Sequence, residues 1–182
     1  MVWIIVGVVL VAIIAWVIST YNSLVQLRNK VKNAFAQIDT QLQRRFDLIP
    51  NLVETVKGYA GHEKEVLEKI TASRSGYMNA SSNEQKLEMN NQLTSTLKTL
   101  FAVSENSPDL KANENFLKLQ DDLSETEDKV AYARQFYNDA VTIYNNKLQM
   151  FPGNLVAGVF GFKEEALFDA VDEVNQAPRV QF

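Results

Sequence analysis

Histidine and cysteine, the side chains that most often carry metal or nucleophile chemistry, are almost absent from this chain. His62 is the only histidine, and there is no cysteine. A zinc site or a base-assisted nucleophile needs several such groups together, and a di-metal site in a helical bundle needs Glu-x-x-His pairs. The sequence has no such pair, no glycine-rich phosphate loop and no nucleophile elbow. It therefore predicts no enzyme, no cofactor and no metal, and we interpret His62 as structural or solvated.

A second set of candidates consists of charged side chains that fall on otherwise apolar helical faces. Arg45 lies in the stripe of the first predicted helix, just before Asp47, and Glu63 lies in that of the second. Glu127 and Arg134 flank the seam of the fourth predicted helix. Because buried charges must be paired, we predict a buried network that involves Arg45, Glu127 and Arg134.

Such a network has three interpretations. It fixes the register of the helices, it lines a ligand pocket, or its members are exposed to solvent. The dipeptides Tyr137-Asn138 and Tyr144-Asn145 recur at the same seven-residue interval as the apolar seam. They extend the polar set along the fourth helix.

These residues must be positioned by helices, and the first helix begins in a membrane. Residues 2–18 contain no charged side chain and form about 26 Å of helix. Residues 19–21 extend this to about 30 Å, the thickness of a bilayer's hydrocarbon core. A cleaved signal peptide would need a positive n-region and a small-residue cleavage site, but no basic residue precedes the run. We predict an uncleaved anchor over residues 1–21, with Trp3 and Tyr21 near the two interfaces.

Charge predicts the orientation of the anchor. Arg28, Lys30 and Lys32 follow the span, and no acidic residue precedes Asp39. The positive-inside rule puts this flank in the cytoplasm and the N-terminus outside. Residues 46–182 carry thirteen basic and twenty-one acidic side chains, which argues against a nucleic-acid partner and leaves the lipid bilayer as the first predicted partner.

The spacing of apolar residues predicts an all-α fold. Four apolar stripes of helical period predict helices from the bilayer to about Phe46 and over residues 50–78, 83–104 and 110–150. Pro50 is expected to separate the first two. Short connections and sustained heptads predict an antiparallel up-down four-helix bundle over residues 22–151, continuous with the transmembrane helix.

Residues 152–182 are expected to form a short apolar and helical C-terminal tail. Residues 154–162 are rich in apolar residues and glycine, residues 163–174 have an amphipathic helical pattern and residues 177–182 are predicted to be extended. Nine apolar-rich residues are too few to span a bilayer. The tail is expected to pack on the bundle, on the membrane surface or on a neighbouring subunit.

Several long motifs resemble those of the LemA family of bacterial membrane proteins. The family signature is matched by RRFDLIPNLVETVKGYAGHE at residues 44–63. Further matching segments are residues 21–43, 110–145, 151–152 and 160–162 and the terminal PRVQF. The likeness covers nearly the whole chain.

The resemblance implies a bacterial cell membrane, an N-terminal membrane helix, a cytoplasmic helical bundle and no established enzyme activity. Some relatives are associated with envelope stress or membrane organisation, often with a membrane metalloprotease encoded nearby. The resemblance gives no role to the motif residues it carries over. They are Arg44, Arg45, Asp47, Pro50, Asn51, Glu127, Arg134, Tyr137, Asn138 and Asn145.

Three functional hypotheses follow. The first is a non-enzymatic, membrane-anchored scaffold that forms homo-oligomers on the cytoplasmic face, because the seams are long and no catalytic group is present. The second is an adaptor for another envelope protein, such as a protease. The third, a small-molecule sensor or hydrolase, requires a ligand-sized cavity near Arg45 and Arg134.

Overall fold

The structure is a computed structural model that describes residues 1–59 and 64–168. Helices contain 86% of the described residues, which include no strand. The helices are α1 (Val2–Asp47), α2 (Ile49–Lys57), α3 (Lys64–Asn79), α4 (Asn83–Ser104), α5 (Pro108–Lys111), α6 (Glu114–Gln149) and α7 (Gly153–Phe160). The predicted all-α fold, an N-terminal apolar helix followed by a helical bundle, is confirmed.

Pro50 does not reverse the chain, contrary to the expectation that it separates two arms of the bundle. Leu48 keeps right-handed helical backbone angles, and Pro50 lies in the first turn of α2, where its missing N–H costs nothing. The Leu48 carbonyl accepts a hydrogen bond from the Leu52 amide at 3.1 Å. The helical path therefore continues with one interruption to Lys57, and α1 and α2 act as one arm.

The second and fourth predicted helices are each divided. α2 ends at Lys57 and Gly58 is its C-terminal cap, so the helix predicted over 50–78 is not continuous. The fourth stretch contains a short α5 and a long α6, because Asn113 leaves the helical path and its side chain caps α6 by accepting a bond from the Phe116 amide at 3.0 Å. The third prediction agrees with α4, whose N-cap Ser82 accepts a bond from the Gln85 amide.

The chain divides into two compact units. The first unit contains residues 1–37 and 133–168, and the second contains residues 38–132 of the described chain. Each has an apolar core made of side chains that recur at helical spacing. The most buried side chains of the first unit are Leu24, Val31, Val141 and Tyr144, and those of the second include Ile38, Leu42, Phe46, Leu52, Ile70, Leu93, Leu100, Phe116 and Leu123.

In the second unit α3 and α4 pack side by side over most of their length. The C-terminal end of α1 packs on α3, where the rings of Phe46 and Tyr77 are stacked with centroids 4.3 Å apart. α4 packs on α6, where the rings of Phe101 and Phe116 meet edge to face at 6.0 Å. Ring pairs of this kind add to the stability gained by burial alone.

In the first unit the N-terminal part of α1 is a lone exposed helix. Residues 2–16 are all exposed, and Thr20 is the first buried residue of the chain. The apolar N-terminal segment of α1 is long enough to cross a membrane, and none of it is buried inside the protein. An unpacked apolar helix of this length is typical of a membrane span.

The C-terminal tail differs from its prediction in where the helix lies. Residues 153–160, expected only to be apolar, form α7, which Gly161 ends with a φ of 70°. Residues 162–168 have no regular secondary structure, so the helix predicted over 163–174 is wrong as far as Phe168. The remainder of that prediction and the extended segment 177–182 lie outside the described residues.

Candidate functional site

The buried cation of the second unit is Arg45, whose side chain reaches from α1 to α4 and α6. The residue is 2% exposed. Its Nη1 donates to Asn90 Oδ1 at 2.5 Å and to Thr94 Oγ1 at 2.9 Å, and it forms an ion pair with Glu127. Thr94 Oγ1 also donates to Glu127 Oε2 at 2.9 Å. One guanidinium nitrogen thus connects three helices.

The chemistry of this cluster is that of a structural cross-link. Arg45 is always charged, and burial without Glu127 would leave that charge uncompensated. The Glu127 side chain remains 33% exposed, so the pair lies at the edge of the core. The Glu127 carboxylate is engaged by both Arg45 and Thr94, which favours the register interpretation over a ligand pocket.

A second polar cluster ties the other side of α1 to α3 and α4. The Tyr77 hydroxyl donates to Asp39 Oδ1 at 3.0 Å, and Lys86 Nζ donates to both Asp39 oxygens at 2.8 and 2.9 Å. Burial, followed by the charge of Asp39, raises the pKa of the Tyr77 phenol above its ordinary range. Asp39 therefore joins two other helices through its carboxylate.

The remaining predicted residues of the second unit lie on the surface. Arg44 and Glu125 are both half exposed and approach to 3.7 Å. Asp47, Pro50 and Asn51 are exposed. Glu63 and His62 lie outside the described residues, so their predicted roles stay predictions.

In the first unit Tyr137, Asn138, Tyr144 and Asn145 form a clamp on the tail segment 162–168. Asn145 Nδ2 donates to the Glu165 carbonyl at 2.8 Å and its Oδ1 accepts from the Glu165 amide at 3.0 Å. Asn138 makes the same pair of bonds to Phe168 at 2.8 and 2.9 Å. All four bonds go to the backbone of the tail.

The two tyrosines of the clamp repeat this pattern. The Tyr144 hydroxyl donates to the Lys163 carbonyl at 3.0 Å, and the Tyr137 hydroxyl donates to the Ala166 carbonyl at 3.1 Å. Seven helical residues rise about 10.5 Å, and three extended residues advance about 10 Å. The heptad spacing of α6 therefore matches a three-residue spacing of the tail.

Aromatic contacts hold both ends of the tail segment against α1. Phe168 stacks on Tyr137 with centroids 4.6 Å apart and meets Phe35 at 5.8 Å. At the other end Phe162 meets Tyr21 at 5.6 Å, and the Arg28 guanidinium lies 5.2 Å from the centre of its ring. The segment thus runs beside α1 in the same direction.

The other predicted residues of the first unit have simple positions. Lys30 and Lys32 are exposed and Arg28 is partly buried. Arg134 is 8% exposed and belongs to the first unit, whereas Arg45 and Glu127 belong to the second. A role for Arg134 in the predicted network stays a prediction.

No metal centre emerges from the described residues. Within residues 1–59 and 64–168 no three His, Asp or Glu side chains converge as metal ligands. A groove of about 410 Å³ in the second unit is lined by Leu48, Asn51, Glu54, Thr55, Asn115, Lys118, Leu119 and Asp122. It is open and does not include Arg45.

Comparison with known proteins gives the family. The LemA family matches residues 34–182. Protein LemA of Metamycoplasma hominis is 30% identical over 150 residues, which cover 82% of this chain and 68% of that protein. The chain belongs to the LemA family. The resemblance in the motifs of the sequence is therefore confirmed.

Other relatives of this LemA-family chain carry a different name. Magnetosome proteins MamQ 1 and MamQ 2 of Paramagnetospirillum magneticum are each 24% identical over 184 residues, which cover 87% of this chain and 68% of each relative. Neither these names nor the family's own denotes an enzyme. Together with the exposed apolar part of α1, family membership indicates a membrane-associated helical protein.

Sequence reasoning missed four residues of the two polar clusters in this LemA-family chain: Asp39, Lys86, Asn90 and Thr94. Asn90 is 1% exposed and lies among leucines on the apolar face of α4, which is the signal that could have revealed it. Asp39 and Lys86 lie at the edge of the core and carry no such signal. The Tyr-Asn repeat was visible in the sequence, but its target on the tail was not.

Proposed function

We propose that this LemA-family chain is a non-enzymatic, single-pass membrane scaffold that self-associates on the cytoplasmic face of the bilayer. The observation that carries the proposal is a stripe of exposed apolar side chains that runs along α6 to Met150, the residue after its end, whose amide still bonds to the Asn146 carbonyl. It consists of Phe136, Ile143 and Met150, which are 57%, 57% and 65% exposed. We refer to these three residues as the outer stripe.

The spacing of the outer stripe is that of a helix-packing seam. Its members recur every seven residues, which keeps them on one side of α6 over about 21 Å. Tyr137 and Tyr144, one position later in each repeat, are buried on the inner side. α6 therefore carries exposed apolar side chains beside its buried seam, with exposed Asp139, Asn146 and Lys147 between them. Exposed apolar side chains grouped on one side of a helix, with polar residues around them, mark interaction sites.

A second copy of this chain is the partner that fits best. Anchoring by α1 holds all copies in one plane and in one orientation, so the outer stripes of two copies lie at the same height above the bilayer. A two-fold axis normal to the membrane would bring each stripe against itself, as in most homodimers. The basic residues Arg28, Lys30 and Lys32, just after the span, support a cytoplasmic location for this contact.

Disulfide crosslinking in native membranes tests the proposal, because the chain has no cysteine of its own. Ile143→Cys should give a crosslinked dimer on oxidation. Gln92→Cys, at an exposed polar position of α4, is the matched control and should remain monomeric. Equal crosslinking at both positions, or none at Ile143, would contradict self-association through the outer stripe.

The mass of the gently extracted protein gives a second measurement. Ile143→Glu should reduce a defined assembly to monomers, because a charge in an apolar seam must be desolvated. Leu117→Glu, at a position of α6 that is 44% exposed, should leave the mass unchanged. A wild-type protein that is monomeric under these conditions would overturn the scaffold.

An adaptor for another envelope protein is the second candidate. The groove beside α2 supports it, because exposed Asn51 and Glu54 border it together with Lys118 of α6. A photo-crosslinking residue at Asn51 should then capture a stoichiometric partner other than this chain. Capture of this chain alone would count against the adaptor and in favour of the scaffold.

A further inference from the structure

α7 is a short helix that is apolar on both of its sides. Val156 and Ala157 are buried against the rest of the first unit. On the opposite side Leu155, Val159 and Phe160 are 56%, 80% and 53% exposed. A surface helix of a water-soluble protein normally carries charged or polar residues on its outer side. The exposed part of α7 carries one polar side chain, that of Asn154 in its first turn, and no charged one.

The loop that leads into α7 shares this character. Phe151 is 78% exposed. No charged residue occurs between Lys147 and Lys163, so fifteen consecutive residues are uncharged and a lysine stands at each end. Basic residues that bracket an apolar segment suit the boundary between anionic headgroups and acyl chains.

Contacts with α1 fix the level of α7 relative to the membrane. The ring of Phe160 lies 4.9 Å from that of Tyr21, which is the last residue of the predicted span. Thr20, the first buried residue of α1, is only 7% exposed. The apolar surface of residues 2–18 therefore ends close to Phe160, the last residue of α7, which puts the exposed apolar side chains of α7 near the level where the predicted span ends.

We infer that α7, together with Phe151, is a second membrane contact that lies in the headgroup–acyl boundary of the bilayer that α1 spans. The partner is a lipid surface. Leu155, Val159 and Phe160 enter the acyl region, at the depth of roughly 5–10 Å that is usual for interfacial helices. Lys147 and Lys163 remain among the headgroups.

Lipid fits this side of α7 better than a second copy does. An eight-residue helix is about 12 Å long, and one of its sides offers far less than the roughly 800 Å² per partner of a stable protein interface. The bilayer needs no such area, because α1 already holds α7 against it. The inference rests on the membrane anchor and not on self-association through the outer stripe.

Depth measurement by spin labels in reconstituted vesicles tests the inference. The full-length protein would carry a single label at Val159→Cys in vesicles of phosphatidylcholine and phosphatidylglycerol. Dissolved oxygen concentrates in lipid and a charged nickel chelate remains in water. The label at Val159 should collide more often with oxygen than with the chelate.

Two further labels serve as controls. Leu167→Cys, at a tail position that is 53% exposed, should show the aqueous pattern, because the tail leads away from Tyr21. Val9→Cys, in the middle of the apolar segment, should show the lipid pattern. The same spin label thus reports the local environment at three positions that differ in their expected distance from the centre of the bilayer.

Each other outcome overturns the inference in a distinguishable way. An aqueous pattern at Val159 with a lipid pattern at Val9 would place α7 in water although the anchor is inserted. Protection of Val159 from both reagents would mean that protein, such as a second copy, covers α7. An aqueous pattern at Val9 would remove the anchor itself and with it the basis of the inference.

Discussion

Asn145 exchanges two hydrogen bonds with the backbone of Glu165, one as a donor and one as an acceptor. A side-chain amide that pairs in this way replaces the neighbouring strand that an extended segment would otherwise need. Asn138 does the same for Phe168. The side-chain amides of α6 therefore bind the tail through hydrogen bonds to its backbone and not through its side chains.

Removal of one amide should loosen the tail. Asn145→Ala leaves the Glu165 amide and carbonyl without their protein partners, and each lost bond of a partly buried group costs about 1–3 kcal/mol. We expect much faster hydrogen exchange at the Glu165 amide. Asn146→Ala, at the exposed neighbouring position, is the control and should leave that rate unchanged. Equal exchange in both variants would show that the clamp does not hold the tail.

The Arg45–Glu127 ion pair, at the edge of the second unit's core, should stabilise the fold more than the partial exposure of Glu127 suggests. Glu127→Ala leaves the buried Arg45 guanidinium without its Glu127 carboxylate partner, and we expect a loss of about 2–4 kcal/mol in the free energy of unfolding, somewhat below the cost of breaking a fully buried pair. Urea unfolding measures the loss. Glu125→Ala removes a half-exposed carboxylate and should leave the free energy of unfolding nearly unchanged, as surface substitutions usually do. Similar losses in the two variants would contradict a special role for Glu127.

Stability should fall at high pH because of Tyr77. Burial and the nearby Asp39 carboxylate raise the pKa of its phenol, so folding favours the protonated form. The contribution is fully present below the unfolded pKa of about 10 and is lost as the pH rises from there toward the higher folded value. Tyr77→Phe should flatten the decline in unfolding free energy above pH 10. Parallel pH profiles for the two proteins would refute this prediction.

Two glycines of α7 should respond in opposite ways to alanine. A Cβ atom at Gly153 would lie 2.5 Å from the Lys147 carbonyl oxygen, and because that oxygen belongs to the backbone we expect a loss of about 1–3 kcal/mol. A Cβ atom added at Gly158 would have no atom within 4 Å apart from its own helix backbone and chain neighbours. Alanine there should stabilise the helix by up to about 1 kcal/mol. Thermal unfolding of the two variants checks the difference in sign.

The helices were predictable where periodicity and caps agree, and α4 is the clearest example. The Ser82–Gln85 cap marks its start, and the break at residues 106–109 follows its last apolar residues. The chain reversal was not predictable from Pro50, because a proline in the first turn of a helix is compatible with a continuous path. α2 ends at Gly58 instead, and an isolated glycine is a weak signal for the end of a helix. The tail helix was misplaced because α7 is apolar on both sides and so lacks a helical period.

Candidate site residues were predictable when a charge interrupts an apolar stripe. Arg45 and Glu127 were found in that way and form an ion pair. Sequence alone could not give their partners on α4, because the alignment of two helices depends on packing. The Tyr-Asn repeat was visible in the sequence, but its binding partner was not. That partner is the backbone of the tail segment, and every residue has the same backbone groups.

The match between seven helical residues and three extended ones has a consequence for how this region can vary. Since the clamp contacts carbonyls and amides, substitutions at exposed tail positions such as Glu164 or Leu167 leave its bonds intact. Insertion or deletion of a single residue between Glu165 and Phe168 would put the wrong backbone groups opposite Asn138 while Asn145 stays paired. The number of residues in this segment is therefore more constrained than the identity of its side chains. Substitutions should be tolerated there, and insertions or deletions should not.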